Sequence, residues 1–187
     1  MMERLSILGI SGSLRQSSTN TALLRAAGQL LDTHGAELTR VSIRLPLYDA
    51  DLADQAALAP VEELKQAVRT ADAVLIATPE YNFGPPGVLK NAIDWASRPA
   101  YRSVFRDKPV AVMGASGSAA GTARAQGQLK QILLGMASHV FPYPELLVSN
   151  APQRFDDQGN LSDPETHGRL DNYLRDFVVW VRRVRVT

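Results

Sequence analysis

The segment Ser11-Gly12-Ser13-Leu14-Arg15-Gln16-Ser17-Ser18-Thr19-Asn20 joins a short apolar run to a helical pattern. A helix start offers unpaired backbone N–H groups to an anion. Here the hydroxyls of Ser13, Ser18 and Thr19, the Asn20 amide and the Arg15 guanidinium add donors, which suits one phosphate monoester. No Gly-Lys-Ser/Thr follows and no Gly-x-Gly-x-x-Gly is present, so neither a Walker loop nor a dinucleotide fingerprint is built. A polar turn with Thr19 or Asn20 as helix cap is the plainer reading of the same residues.

A second segment, Thr78-Pro79-Glu80-Tyr81-Asn82-Phe83-Gly84-Pro85-Pro86-Gly87, is stiff and partly apolar. A flat heteroaromatic ring needs such a wall with polar groups at its edge. Aromatics packing on the domain or on a second subunit would read the same way. The third, Gly114-Ala115-Ser116-Gly117-Ser118-Ala119-Ala120-Gly121, lets backbone approach a ligand closely, as an ordinary glycine turn also would. Gly114-Ala115-Ser116-Gly117 misses the hydrolase elbow Gly-x-Ser-x-Gly by one position.

Positioning these loops requires a scaffold. Strand-like runs are read at Leu5–Ile10, Leu38–Ile43, Ala73–Thr78, Val110–Ala115 and near Glu145–Ser149. Helical spacings fall at Asn20–Thr33, Pro60–Arg69, Pro86–Ala96, Thr122–Ala137 and Glu165–Val184. Alternation predicts a five-stranded parallel sheet with helices on both faces, an α/β architecture, for which the common strand order is 2-1-3-4-5. The marked loops follow strands one, three and four, and that order sets them side by side at the carboxyl ends, where such sheets bind ligands. No repeat or linker interrupts the chain, so one domain over residues 1–187 is expected, with 153–164 as an exposed loop.

Composition narrows the classes. The chain has 187 residues, net charge +1 and no cysteine. Near-neutrality gives no field for nucleic acid or anionic lipid, and thiolate metal sites are excluded. His34, His139 and His167 lack ligand spacing, so no metal site is expected. The apolar run after Met1–Arg4 is too short for a signal peptide and no window spans a membrane, so a soluble cytoplasmic protein is expected.

Gly12–Asn20 (Gly-Ser-Leu-Arg-x-x-Ser-x-Asn), Thr78–Phe83 (Thr-Pro-Glu-Tyr-Asn-Phe), Pro86–Trp95 and Gly114–Gly117 together resemble the NADPH-dependent FMN reductase family, which includes bacterial chromate and quinone reductases. The resemblance covers roughly Leu5 to Val148. It implies a flavodoxin-like three-layer α/β/α sandwich holding FMN, with NADPH or NADH as electron donor. It places Ser13, Arg15, Ser18 and Asn20 at the phosphate end, with Ser11 and Leu14 as further cofactor-binding residues. Pro79, Glu80, Tyr81, Asn82 and Phe83 would line the ribityl and ring, and Ser116 and Gly117 would close on the ring. It also implies a homodimer or homotetramer and small-molecule acceptors: quinones, flavins, azo compounds or oxyanions such as chromate. Hydride transfer at flavin N5 needs no catalytic side chain. Phe83 stands where the family often has tyrosine, Gly84-Pro85 replaces a Ser-Ile type pair, and Ser118 sits where a second glycine is frequent.

Two alternatives stay open: a non-enzymatic electron carrier, which is usually strongly acidic, and a reductase releasing reduced FMN to a monooxygenase. Arg98, Arg102 and Arg106 are expected near the pocket mouth, where one could meet the NADPH 2′-phosphate. Trp95 lies off its helix's core stripe, with Lys90, Asn91 and Asp94, and is expected to be exposed at a dimer interface. Arg182, Arg183 and Arg185 complement the dipole of the last helix.

Overall fold

Strand residues alternate between two apolar faces, and that alternation builds the layers of the computed structural model, which describes residues 3–55 and 58–185. The strands are β1 (Leu5–Ser11), β2 (Ala36–Arg40), β3 (Ala73–Ala77), β4 (Pro109–Ala115), β5 (His139–Val140) and β6 (Leu146–Val148). The helices are α1 (Thr19–Thr33), α2 (Ala50–Gln55), α3 (Ala59–Thr70), α4 (Gly87–Ala96), α5 (Ala123–Gly135) and α6 (Pro164–Val184). All pairings are parallel, in the order β2-β1-β3-β4-β5, with β6 also against β4.

Leu5, Ile7, Leu75, Ala111 and Met113 face α1 and α6. Their neighbours Leu8, Ile10, Val74, Ile76, Val110 and Val112 face α3, α4 and α5. Every residue of β3 and β4 is buried. Two-sided burial explains why these runs read as continuous apolar stretches.

The expected order holds, with differences at the edges. The second strand ends at Arg40 rather than Ile43. The alternation at Val41, Ile43 and Leu45 is real, but it packs as a connection on the α3–α4 side. The fifth edge position is shared by β5 and β6, which pair with opposite ends of β4. Pro142 and Pro144, which have no N–H to give a ladder, stand between them. The short helix α2 carries no apolar stripe that periodicity could detect.

Two further expectations are corrected. Trp95 is only 2 % exposed. The connection 41–49 lies over α4: Trp95 Nε1 and Asn91 Nδ2 both donate to the Pro46 carbonyl, and the Tyr48 ring meets Trp95 edge-on at 5.0 Å. The tryptophan expected to be exposed is covered by the chain itself, while Lys90 on the same face stays exposed. Arg98, Arg102 and Arg106 lie where α4 has run back and the chain is about to enter β4. There Asp107 N–H bonds Ala137 O and His139 N–H bonds Lys108 O, at the amino ends of the strands. Within one chain these arginines are at the rim opposite the marked loops. Among the described residues, no helix is long and apolar enough to cross a membrane.

Candidate flavin site

The three marked loops meet. One crevice of about 300 Å³ is lined by Ser13, Arg15, Ser18, Thr19 and Asn20 from the first loop. Pro79, Glu80 and Tyr81 come from the second, and Ala115, Ser116 and Gly117 from the third. Ala151 and Pro152 join from a 3-10 turn after β6. Ten of the residues singled out from sequence therefore share one cavity: Ser13, Arg15, Ser18, Thr19, Asn20, Pro79, Glu80, Tyr81, Ser116 and Gly117. Ser11, Leu14, Asn82 and Phe83 are outside its lining. Ala151 and Pro152 were not anticipated; the rule that ligands bind beyond strand ends, applied to the short β6, would have found them.

The α1 end is organised as an anion cradle. Ser18 is the N-cap, its Oγ accepting from Thr21 N–H. Ser11 Oγ pairs with Thr21 Oγ1 at 2.8 Å, behind the cavity. The amides of Thr19 and Asn20, the first of the helix, take no acceptor among the described residues. Arg15 donates one N–H to Ser17 O and forms no ion pair among the described residues. Unpaired amides, a hydroxyl and an unpaired guanidinium form a donor set that fits a phosphate monoester.

Asn20 does something more specific than donate to a ligand. It is 2 % exposed, and its side chain both donates to Ala115 O and accepts from Ala115 N–H, each at 2.9 Å. It clamps the start of α1 to the end of β4 and so fixes two of the loops together. Gly114 sets a second close approach. A Cβ there would lie 2.2 Å from Thr122 Oγ1 and 2.3 Å from Thr78 O, so only glycine lets β3 and the start of α5 close on the β4 loop.

Glu80 lines the crevice, but its carboxylate turns to α5. It accepts from the backbone N–H of Arg124 and Ala125 and pairs with the Arg124 guanidinium at 2.7 Å. The local N-cap, Thr122, makes no such bond, so Glu80 caps α5 from another loop. Burial works to raise its pKa; the Ala125 N–H and then the Arg124 guanidinium and N–H outweigh that and hold it below the usual carboxylate range. Beyond Glu80 the chain makes a two-residue turn. Tyr81 and Gly84 exchange backbone hydrogen bonds, and Asn82 and Phe83 both have positive φ, +49° and +67°. Asparagine tolerates that region; phenylalanine is held there at a cost. The Arg124 guanidinium stacks 4.5 Å over the Phe83 ring, and Gln128 donates to Phe83 O. Phe83 remains 65 % exposed and Tyr81 55 %, at the open end of the site.

Residues 5–153 match the model of the NADPH-dependent FMN reductase family. The chain belongs to that family. A Pseudomonas aeruginosa protein named NAD(P)H-dependent FMN reductase is 44 % identical, over 99 % of this chain and all of its own length. The Escherichia coli K12 quinone reductase is 36 % identical over the full length of both. Among solved structures, the FerB flavoenzyme NAD(P)H:(acceptor) oxidoreductase of Paracoccus denitrificans superposes with a TM-score of 0.89 and 34 % identity, covering 97 % of this chain and all of that one. This member of the FMN reductase family has the sheet order β2-β1-β3-β4-β5, with the three marked loops at one crevice.

Proposed function

We propose that this chain is an FMN-dependent NAD(P)H oxidoreductase that passes two electrons to small acceptors by a ping-pong scheme. The observation that carries the reading is the convergence of the three loops, with an anion cradle at one end and the Tyr81–Gly84 turn at the other. The donor-rich α1 end suits the flavin phosphate, through Ser13, Arg15, Ser18 and the amides of Thr19 and Asn20. Pro79, Glu80, Tyr81, Asn82 and Phe83 carry the ribityl and ring, and Ser116 and Gly117 close on it. FMN, when bound, supplies the hydride-accepting and hydride-donating centre, so the protein needs no nucleophile. Backbone N–H groups around Asn82 and Gly117 stabilise negative charge that develops at the ring edge. Glu80 and Asn20 keep the loops at fixed spacing, so donor and acceptor meet one preorganised surface.

Quinones lead the acceptor classes, because relatives matching over nearly their whole length carry that activity in their names. Flavins, azo compounds and oxyanions such as chromate form the wider range. The same reading includes one domain and a cytoplasmic homodimer or homotetramer, on the strength of the family likeness. Anaerobic titration with NADPH should bleach the flavin spectrum, and initial rates against varied quinone should give parallel reciprocal plots. A flavin that NAD(P)H leaves oxidised overturns the reading in favour of an electron carrier.

A further inference from the structure

A dinucleotide donor needs a second phosphate-binding region within reach of the crevice. The arginines expected to provide it are at the opposite rim. At the crevice rim itself, a groove of about 390 Å³ runs between the first turns of α1 and the loop after the 3-10 turn. Arg15, Ser18 and Pro152 line both cavities, so the two are continuous. We infer that this groove receives the adenosine diphosphate end of the nicotinamide dinucleotide, an inference that rests on the function proposed above.

The groove has the parts such a ligand needs. Arg15 and Arg25 line it, and neither is in an ion pair among the described residues. Each is pinned by one carbonyl, Arg15 by Ser17 O and Arg25 by Gly159 O. A guanidinium has five N–H donors, so Arg25 retains donors for a diphosphate while Gly159 O fixes its orientation; Arg15, which serves the flavin phosphate, borders the groove. Ala22, Pro152 and Phe155 give an apolar wall of the kind a purine packs on. The volume is within the range of about 300–1,000 Å³ usual for small-molecule sites.

The opposite wall is built, not loose. Phe155 bridges to Leu161, and both pack on the α1–α6 core. The Asp156 carboxylate accepts from the N–H of Gln158 and Asn160, and the Arg25 charge also acts on it. Gly159, at φ +76°, brings the loop so close to α1 that a Cβ would sit 3.3 Å from the Arg25 guanidinium. Asp157 supplies an acceptor of the kind ribose hydroxyls need.

Arg25 is the discriminating residue, because it lines the groove and not the flavin crevice. Arg25→Gln removes the charge and, being two bonds shorter, gives up the bond to Gly159 O as well; an unchanged thermal midpoint and an unchanged response to the mononucleotide donor separate loss of the charge from movement of the loop. With purified flavin-loaded protein, this change should raise KM for NADPH and NADH about tenfold, the scale of a lost charge-assisted hydrogen bond. It should leave KM for reduced nicotinamide mononucleotide, which lacks the adenosine diphosphate end, unchanged. Calorimetric titration with ADP should show matching weakening, and inorganic phosphate should not displace ADP at equal concentration. Unchanged KM for the dinucleotides, equal loss for the mononucleotide, or ADP affinity indifferent to Arg25→Gln would each overturn the inference. Failure of the underlying reading looks different: neither donor then reduces the flavin in either protein, while the ADP titration still reads the groove.

Discussion

Glu80 and Arg124, forty-four positions apart, are joined by a 2.7 Å ion pair, and the same carboxylate also accepts the backbone N–H of Arg124. One side chain thereby ends the β3 loop, starts α5 and holds the guanidinium that stacks on Phe83. Removing it should cost more than a surface ion pair. We expect Glu80→Ala to lower unfolding free energy by about 1–2 kcal/mol, the scale of a lost helix cap. Chemical denaturation with unchanged slope would measure it.

The same contact has a pH signature. Because the folded carboxyl lies below its ordinary value, the ionised form stabilises the native state. That contribution is fully present above the unfolded pKa of about 4.3 and fades as pH falls through the lower folded value. The acid limb of a stability–pH curve should therefore be shallower in Glu80→Gln than in the parent. Superimposable acid limbs would contradict this assignment.

Gly114→Ala forces a methyl against Thr122 Oγ1 and Thr78 O. Backbone on one side leaves little room to relax, so a loss of at least about 2 kcal/mol is expected. Bound flavin should fall with it, read as the ratio of visible to ultraviolet absorbance.

Arg15→Ala should act on cofactor retention with little effect on the fold, since the side chain is exposed and bonds only Ser17 O among the described residues. Losing a charge-assisted phosphate contact of about 1.5–3 kcal/mol should weaken FMN binding about ten- to a hundredfold. Fluorescence titration of the apoprotein checks it, with thermal midpoint as control.

Trp95 moves from an interface expectation to a stability prediction. Trp95→Phe should lose the hydrogen bond to Pro46 O for about 1 kcal/mol. Trp95→Glu buries a carboxylate under the 41–49 connection and should cost about 3 kcal/mol or more. Were Trp95→Glu as stable as the parent, the covered position of this tryptophan would be wrong.

The layered fold and the meeting of three loops were legible because both rest on periodicity and on strand order. Two-sided burial of β3 and β4 writes itself as unbroken apolar runs. Trp95 was misread because helical spacing reports a stripe, not what else lies on the helix. The chain covering it, 41–49, has apolar alternation that imitates a strand. Asn20 and Glu80 were legible as site residues, but their engagement with Ala115 and with α5 is a matter of partners ninety-five and forty-four positions away. No local pattern encodes such distances. Arg98, Arg102 and Arg106 failed on direction: a helix that leaves the carboxyl rim delivers whatever follows it to the other end.

The interruption between β5 and β6 bears on how copies of this protein coexist at high concentration. An open sheet exposes two flanks where a foreign segment could add and seed fibrous growth. On one flank the run of unpaired amides is broken by Pro142 and Pro144; on the other, β2 is five residues long and carries Glu37 and Arg40. Neither flank offers a long, flat, uncharged template, so the molecule can keep a highly apolar sheet without recruiting its neighbours into one.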